Sequence, residues 1–174
     1  MKMQLSMQLS MRLTTAFIAI IPACLGSFAV LNDVSDYGGT LSKVLLPIAC
    51  MQNTFHNPAQ TWRALCSLRP LDAIFRVVIA VELVVGLLGI VGVYRILRAI
   101  RGSSEDFSTS CTTTALACRI GIIVWGLGFF VILGDWFLAW QGPMKGFQTD
   151  GLGYSLMMLI CLICVNSTER GKPI

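Results

Sequence analysis

Residues Leu13 to Leu31, LTTAFIAIIPACLGSFAVL, run for 19 positions without one charged side chain. A helix that crosses the hydrocarbon core of a bilayer needs about 20 mostly apolar residues at 1.5 Å each, and this block meets that demand. Three more follow it. Leu71 to Leu97 is apolar apart from Asp72 and Arg76 at its start, Glu82 inside it and Arg95 at its end. Cys118 to Trp140 carries Arg119 near one end and Asp135 near the other. Gly151 to Val165 is clean for 15 residues and reaches spanning length with Gln148 and Asn166 at the interface. None of these runs shows the period-two alternation of a barrel strand, and in lipid only a helix or a closed barrel satisfies its own backbone. The expectation is an all-α polytopic membrane protein, a four-transmembrane-helix bundle filling residues 1–174 as a single membrane domain. Its spans are expected near 13–31, 71–97, 118–140 and 148–166.

Composition narrows the class further. The chain is 55% hydrophobic and 13% charged, where a soluble domain carries roughly 25% charged residues. Too little polar surface exists to cover a soluble globule, so a soluble enzyme, a disordered chain and a nucleic-acid binder are excluded despite the net charge of +4. Four spans put both termini on one side. Eight of the 13 Lys and Arg residues fall on that side and five on the other. The bias directs both termini to the cytoplasmic or matrix face of a bacterial or mitochondrial inner membrane.

The segments between spans have their own patterns. Residues 3–14 read MQLS, MQLS, MRLT, consistent with an interfacial helix or with alternative start sites. Pro22 removes a backbone donor inside the first span and predicts a kink. The charged-then-apolar start resembles a signal peptide, and because the apolar run continues past Cys24 an uncleaved anchor is the better reading. Leu41 to Met51 is too short to cross and predicts a re-entrant or surface-lying segment between the first two spans. Gly102 to Thr114, GSSEDFSTSCTTT, reads as a polar linker. Trp62, Trp136 and Trp140 suit interface anchors.

Seven cysteines and one histidine do not assemble a known metal or haem signature, so no metal, cofactor-binding or catalytic residue is expected. Cys50 and Cys66 share one loop on the side expected to be oxidising; a disulfide and two surface thiols both satisfy the sequence there.

Ionisable side chains within spans are costly and draw attention first. Glu82 lies roughly 8 Å below Val77 along a helix axis, with no cation at its depth. A protonated carboxyl, a hydrogen bond to a Trp indole or hydroxyl, and a water-filled path are the three outcomes open to it. Arg76 and Asp135 fall at similar depth on antiparallel helices and predict an interhelical ion pair. Gly86, Gly89 and Gly92 in the second span, with Gly121, Gly126, Gly128 and Gly134 in the third, predict close helix contact within the chain or against a partner.

Asn32, Asp36-Tyr37, Met51 to Phe55 (MQNTF), Trp62-Arg63-Ala64, Glu82 and the stretch Gly134-Asp135-Trp136-Phe137 with Trp140-Gln141 together resemble a bacterial family of predicted small integral membrane proteins, a domain of unknown function. The resemblance extends over about residues 13 to 165. It departs at Asp135, where an acid one methylene longer is usual, at Leu133 in place of a glycine, and in the loop MKGFQ. It implies four spans and carries no reaction with it.

No nucleophile elbow, phosphate loop or dinucleotide fingerprint occurs. The leading functional expectation is a non-catalytic accessory subunit of a larger inner-membrane complex, of respiratory or photosynthetic type. Its partners would be membrane lipids and other integral membrane subunits, with no cofactor and no nucleic acid. The rival is a small proton-linked carrier or channel that uses Glu82.

Overall fold

A computed structural model of the chain describes residues 2–167, with side chains from Ser6 onward. The described residues form helices joined by short turns and no strands, and four helices are long and apolar enough to cross a membrane: Ser6–Ser35, Leu68–Ala99, Ser104–Trp136 and Lys145–Ser167.

The first span is broken at Ala19 into Lys2–Ile18 and Ile20–Ser35. Pro22 explains the break, because it has no N–H to offer the Ile18 carbonyl four residues back. That orphaned acceptor is taken up from another helix: the Cys161 thiol donates to the Ile18 carbonyl at 3.6 Å. A buried cysteine of the fourth span thus repairs a hydrogen bond that a proline of the first removes.

Glycine sets how closely the first two spans approach. A Cβ placed on Gly26 would meet the Gly86 Cα at 2.7 Å and the Glu82 carbonyl at 2.8 Å. One turn inward, Gly89 packs directly on the Ala23 backbone, and Gly92 packs on Thr114 of the third span. The Gly26 and Gly89 contacts are backbone-to-backbone and leave no room for a Cβ. They fix the register of the first two helices against each other.

The inner end is held by polar capping. Ser103 and Asp106 form a reciprocal capping box that starts the third helix at Ser104. The segment expected to be a polar linker is therefore helical from Ser104 on, and its Phe107, Ser110, Cys111 and Thr114 are buried against neighbouring helices. Arg12 is 5% exposed. Its guanidinium donates to the carbonyls of Ile100 (3.2 Å) and Gly102 (2.8 Å) just past the second span, and lies 4.7 Å from the Phe107 ring. An arginine read as an orientation signal is also a latch on the carbonyl-rich end of a helix.

The third span changes pitch midway. Ser104–Gly121 is α-helical, while Ile122–Trp136 is wound as a π-helix that closes with Phe137 N–H to the Ile132 carbonyl at 3.0 Å. Its α half packs on the second span. Its π half turns to the fourth, where Gly151 admits Phe129 and Phe130: a Cβ there would meet Phe129 Cβ at 2.8 Å and Phe130 N at 2.9 Å. The outer halves of the second and third spans consequently part, and a cleft opens between them.

Helical turns from Tyr37 to Ala49, including a π-wound stretch at Thr40–Leu45, fold back over the outer end of that cleft. A disulfide between Cys50 and Cys66 pins this segment to the start of the second span. The chain leaves the third span through Leu138, whose φ of 56° reverses its direction into a short turn at Ala139–Gln141.

Candidate intramembrane carboxyl site

Glu82 is 1% exposed, in the middle of the second span. The Gly26–Gly86 contact, one turn deeper, brings the first span close to the second, and Asp33 of the first span lines the same cavity as the Glu82 carboxyl. Oε2 of Glu82 receives no hydrogen bond from any N–H or hydroxyl among the described residues. The sequence-predicted acid therefore has a second acid for a neighbour rather than a donating indole or hydroxyl. Glu82 is fully buried and Asp33 half-buried, so two acidic groups are brought together where little water screens them.

The pair stands beside two neighbouring cavities. One, of about 300 Å³, is lined by Glu82 and Asp33 together with Asn32, Trp125, Asp150 and Tyr154. The other, of about 320 Å³, runs outward between the second and third spans behind walls of Phe75, Val78, Phe129, Ile132 and Phe137. Asp33, Thr40, Val44, Phe129 and Phe147 line both, so the two lie back to back as neighbouring chambers with a common wall. Both π-wound stretches contribute to their walls. A π turn places side chains where an α turn would not, and such turns are concentrated at functional sites.

The predicted pair of Arg76 with Asp135 does not form. Arg76 binds Asp72 on its own helix at 2.9 Å, and its side chain is 70% exposed. The i,i+4 pair forms with no demand on interhelical register. Tyr37 completes that cluster by donating its hydroxyl to Asp72 Oδ1 at 2.5 Å while stacking on Phe75. The bond holds the Tyr37 phenol above its ordinary range, since ionising it would forfeit the donor beside a carboxylate. Asp135 instead faces the fourth span, where Gln148 Nε2 donates to its Oδ1 at 3.2 Å.

The three tryptophans expected as anchors gather at the outer edge and are all exposed. Trp62 meets Trp136 edge-on with centroids 6.1 Å apart, and Phe55 meets Trp140 in the same way. Arg63 lies over Trp136 at 5.0 Å and donates to the Asp135 carbonyl at 3.4 Å. The Phe55 N–H donates to Gln141 Oε1 at 3.0 Å. This seam ties the loop between the first two spans to the end of the third. Among the described residues, no three His, Cys, Asp or Glu side chains converge as a metal would require.

Asp33 escaped sequence reading because the first helix continues one turn past the apolar block, to Ser35. The available signal was the lack of any helix breaker between Leu31 and Gly38. Val44 falls within Leu41–Met51, whose pattern predicts a re-entrant or surface-lying segment; the structure places it, with Thr40 just before that segment, in the cleft wall.

The family model "Predicted small integral membrane protein (DUF2165)" matches residues 11–168, all but the two ends of the chain. No curated protein and no solved structure matches it.

Proposed function

We propose that this chain, which belongs to the family of predicted small integral membrane proteins DUF2165, is a small, non-enzymatic, proton-linked carrier whose proton site is the Glu82–Asp33 pair. One observation carries the reading: a fully buried carboxyl, with a second acid beside it, lines a cleft inside the membrane-spanning bundle. Burying such a group costs several kcal/mol unless it is paired or put to use.

The accessory-subunit reading rests on elimination and on a glycine-lined, aromatic-rich helix set; Gly86, Gly89 and Gly92 are occupied within the chain, whereas Gly128 has open space beside it, and the acid pair favours the carrier. Lipids and a transported solute are then the partners, and nucleic acid is not one. The disulfide favours placing the segment between the first two spans in an oxidising compartment. Together with the Lys/Arg bias, that argues for an inner membrane with both termini on the cytoplasmic side.

The test is proton flux into liposomes that contain the purified protein and an internal pH-sensitive dye. With small organic and inorganic solutes supplied in turn on the opposite side, an imposed pH gradient should dissipate through the wild type for at least one of them and at least about tenfold more slowly through Glu82→Gln, a loss of roughly 1.4 kcal/mol or more in barrier terms. Equal flux in the two proteins would overturn the reading. So would purification in mild detergent as a fixed-ratio component of a larger complex, with no flux from the isolated chain; that result would restore the accessory role.

A further inference from the structure

We infer that the double-chambered cleft beside Glu82 and Asp33 is a binding site for a lipophilic organic cation, which displaces the proton held by the two carboxyls. The inference rests on the proton-site reading above and adds the class of solute.

Charge comes first. Asp33, Glu82 and Asp150 line the cleft, and among the described residues no Lys, Arg or His lines either chamber. An anionic solute would meet only like charge. A neutral one would leave Glu82 Oε2, already without a donor, still unsatisfied unless it brought an N–H or O–H of its own. A positive group satisfies the carboxylate fully.

The walls select the rest of the solute. Phe75, Phe129, Phe137 and Phe147 line the outer chamber, while Trp125 and Tyr154 line the inner one. Aromatic faces attract a cation, most strongly once it is desolvated. They also bury an apolar body of drug-like size, which cavities of about 300 Å³ accommodate. A compact, strongly hydrated ion gains no such burial and loses its water shell.

Access fits the same class. Ile74, Val77, Ile123 and Ile132 line the outer chamber and are 41–63% exposed on the flank of the bundle. The gap between the second and third spans therefore opens sideways toward the hydrocarbon, where a lipophilic cation partitions.

The exchange balances without any further reactant. One cation enters, a carboxyl O–H breaks, its proton leaves to solvent, and the carboxylate left behind pairs with the cation. The titratable groups facing the site are Asp33 on the first span, Glu82 on the second, and Asp150 and Tyr154 on the fourth. The third span and the Tyr37–Ala49 segment present none to it.

Tetraphenylphosphonium is a suitable probe, because tetraphenylborate has the same shape and the opposite charge. Equilibrium dialysis of the detergent-solubilised full chain should show saturable binding of the phosphonium alone. Its apparent affinity should fall as pH is lowered, approaching about tenfold per pH unit, with one proton released per cation bound. Glu82→Gln and, as an independent variant, Asp33→Asn should each weaken binding roughly tenfold or more while eluting as the wild type on gel filtration. Equal binding of the borate, binding insensitive to pH, or full affinity in both variants would overturn the inference. A titration of the protein without probe, wild type against Glu82→Gln, separates the two levels of the reading. If proton uptake depends on Glu82 but the phosphonium does not bind, only the solute class falls. If no such uptake exists, the proton site falls with it.

Discussion

Gly26→Ala is the smallest change that tests how the carboxyl pair is brought together. The added methyl would sit 2.7 Å from the Gly86 Cα and 2.8 Å from the Glu82 carbonyl oxygen, both backbone atoms that cannot rotate aside. Non-bonded carbon atoms settle near 3.5–4.0 Å, so the first two spans must separate locally by about 1 Å. Overpacking of this kind costs about 1–3 kcal/mol, partly offset by the gain of up to about 1 kcal/mol when alanine replaces glycine in a helix. Gly153→Ala isolates that offset, since it lies in the α-helical fourth span, a Cβ there has nothing within 4 Å, and the same propensity gain applies. The difference between the two variants is therefore the packing contribution itself, about 1–3 kcal/mol. For a chain of this size that corresponds to roughly 2–12 °C in Tm, readable by thermal unfolding in a mild detergent. Because the Gly26–Gly86 contact sets the reach between Asp33 and Glu82, Gly26→Ala should also reduce Glu82-dependent proton uptake. Equal Tm values for the two alanine variants would refute the close-packed interface and the register built on it.

Two further outcomes follow from the outer end. Replacing Cys50 and Cys66 together by serine removes a cross-link closing a 16-residue separation, worth about 3 kcal/mol in chain-entropy terms; a membrane-impermeant thiol reagent should label these cysteines in intact cells only after reduction, and labelling before reduction would refute the bond. Tyr37→Phe removes the hydroxyl that Asp72 accepts. The folded protein holds the Tyr37 phenol above the unfolded value near 10, so the contact is fully present below pH 10 and is lost as the pH climbs through the folded value. The stability advantage of wild type over Tyr37→Phe should accordingly be flat from pH 6 to 9 and shrink at higher pH, as read by Tm; an unchanged difference at alkaline pH would contradict the assignment.

Hydropathy located the four helices because crossing a membrane demands a long apolar run, and such a run is visible in one dimension. Their ends were less legible. The third helix begins at Ser104 because Ser103 and Asp106 cap it; that signal lies in two residues of a segment whose composition otherwise reads as linker. The Arg76–Asp135 pairing failed for a related reason. Equal depth is necessary for an interhelical pair but does not decide azimuth, and Arg76 had an acid four residues away on its own helix. Glu82 stood out as the one acid deep within an apolar block. Its neighbour did not, because Asp33 comes beside it only through a glycine contact between two helices, a fact of three-dimensional register. The cleft was invisible for the same reason: it exists because the third helix changes pitch at Ile122, and nothing in the local residue pattern announces a π-wound turn.

The Arg12 latch dictates an order of events during synthesis. Its acceptors, the carbonyls of Ile100 and Gly102, and its aromatic neighbour Phe107 are made some ninety residues after Arg12 itself. While the first two helices are threaded into the bilayer, that guanidinium has none of these contacts and remains hydrated at the membrane surface, where its charge can hold the amino-terminal end on one side. Only when the second helix is complete and the chain has turned back does the same charge become buried as a clasp. One side chain thereby serves first as a topological marker and later as a lock on the finished hairpin.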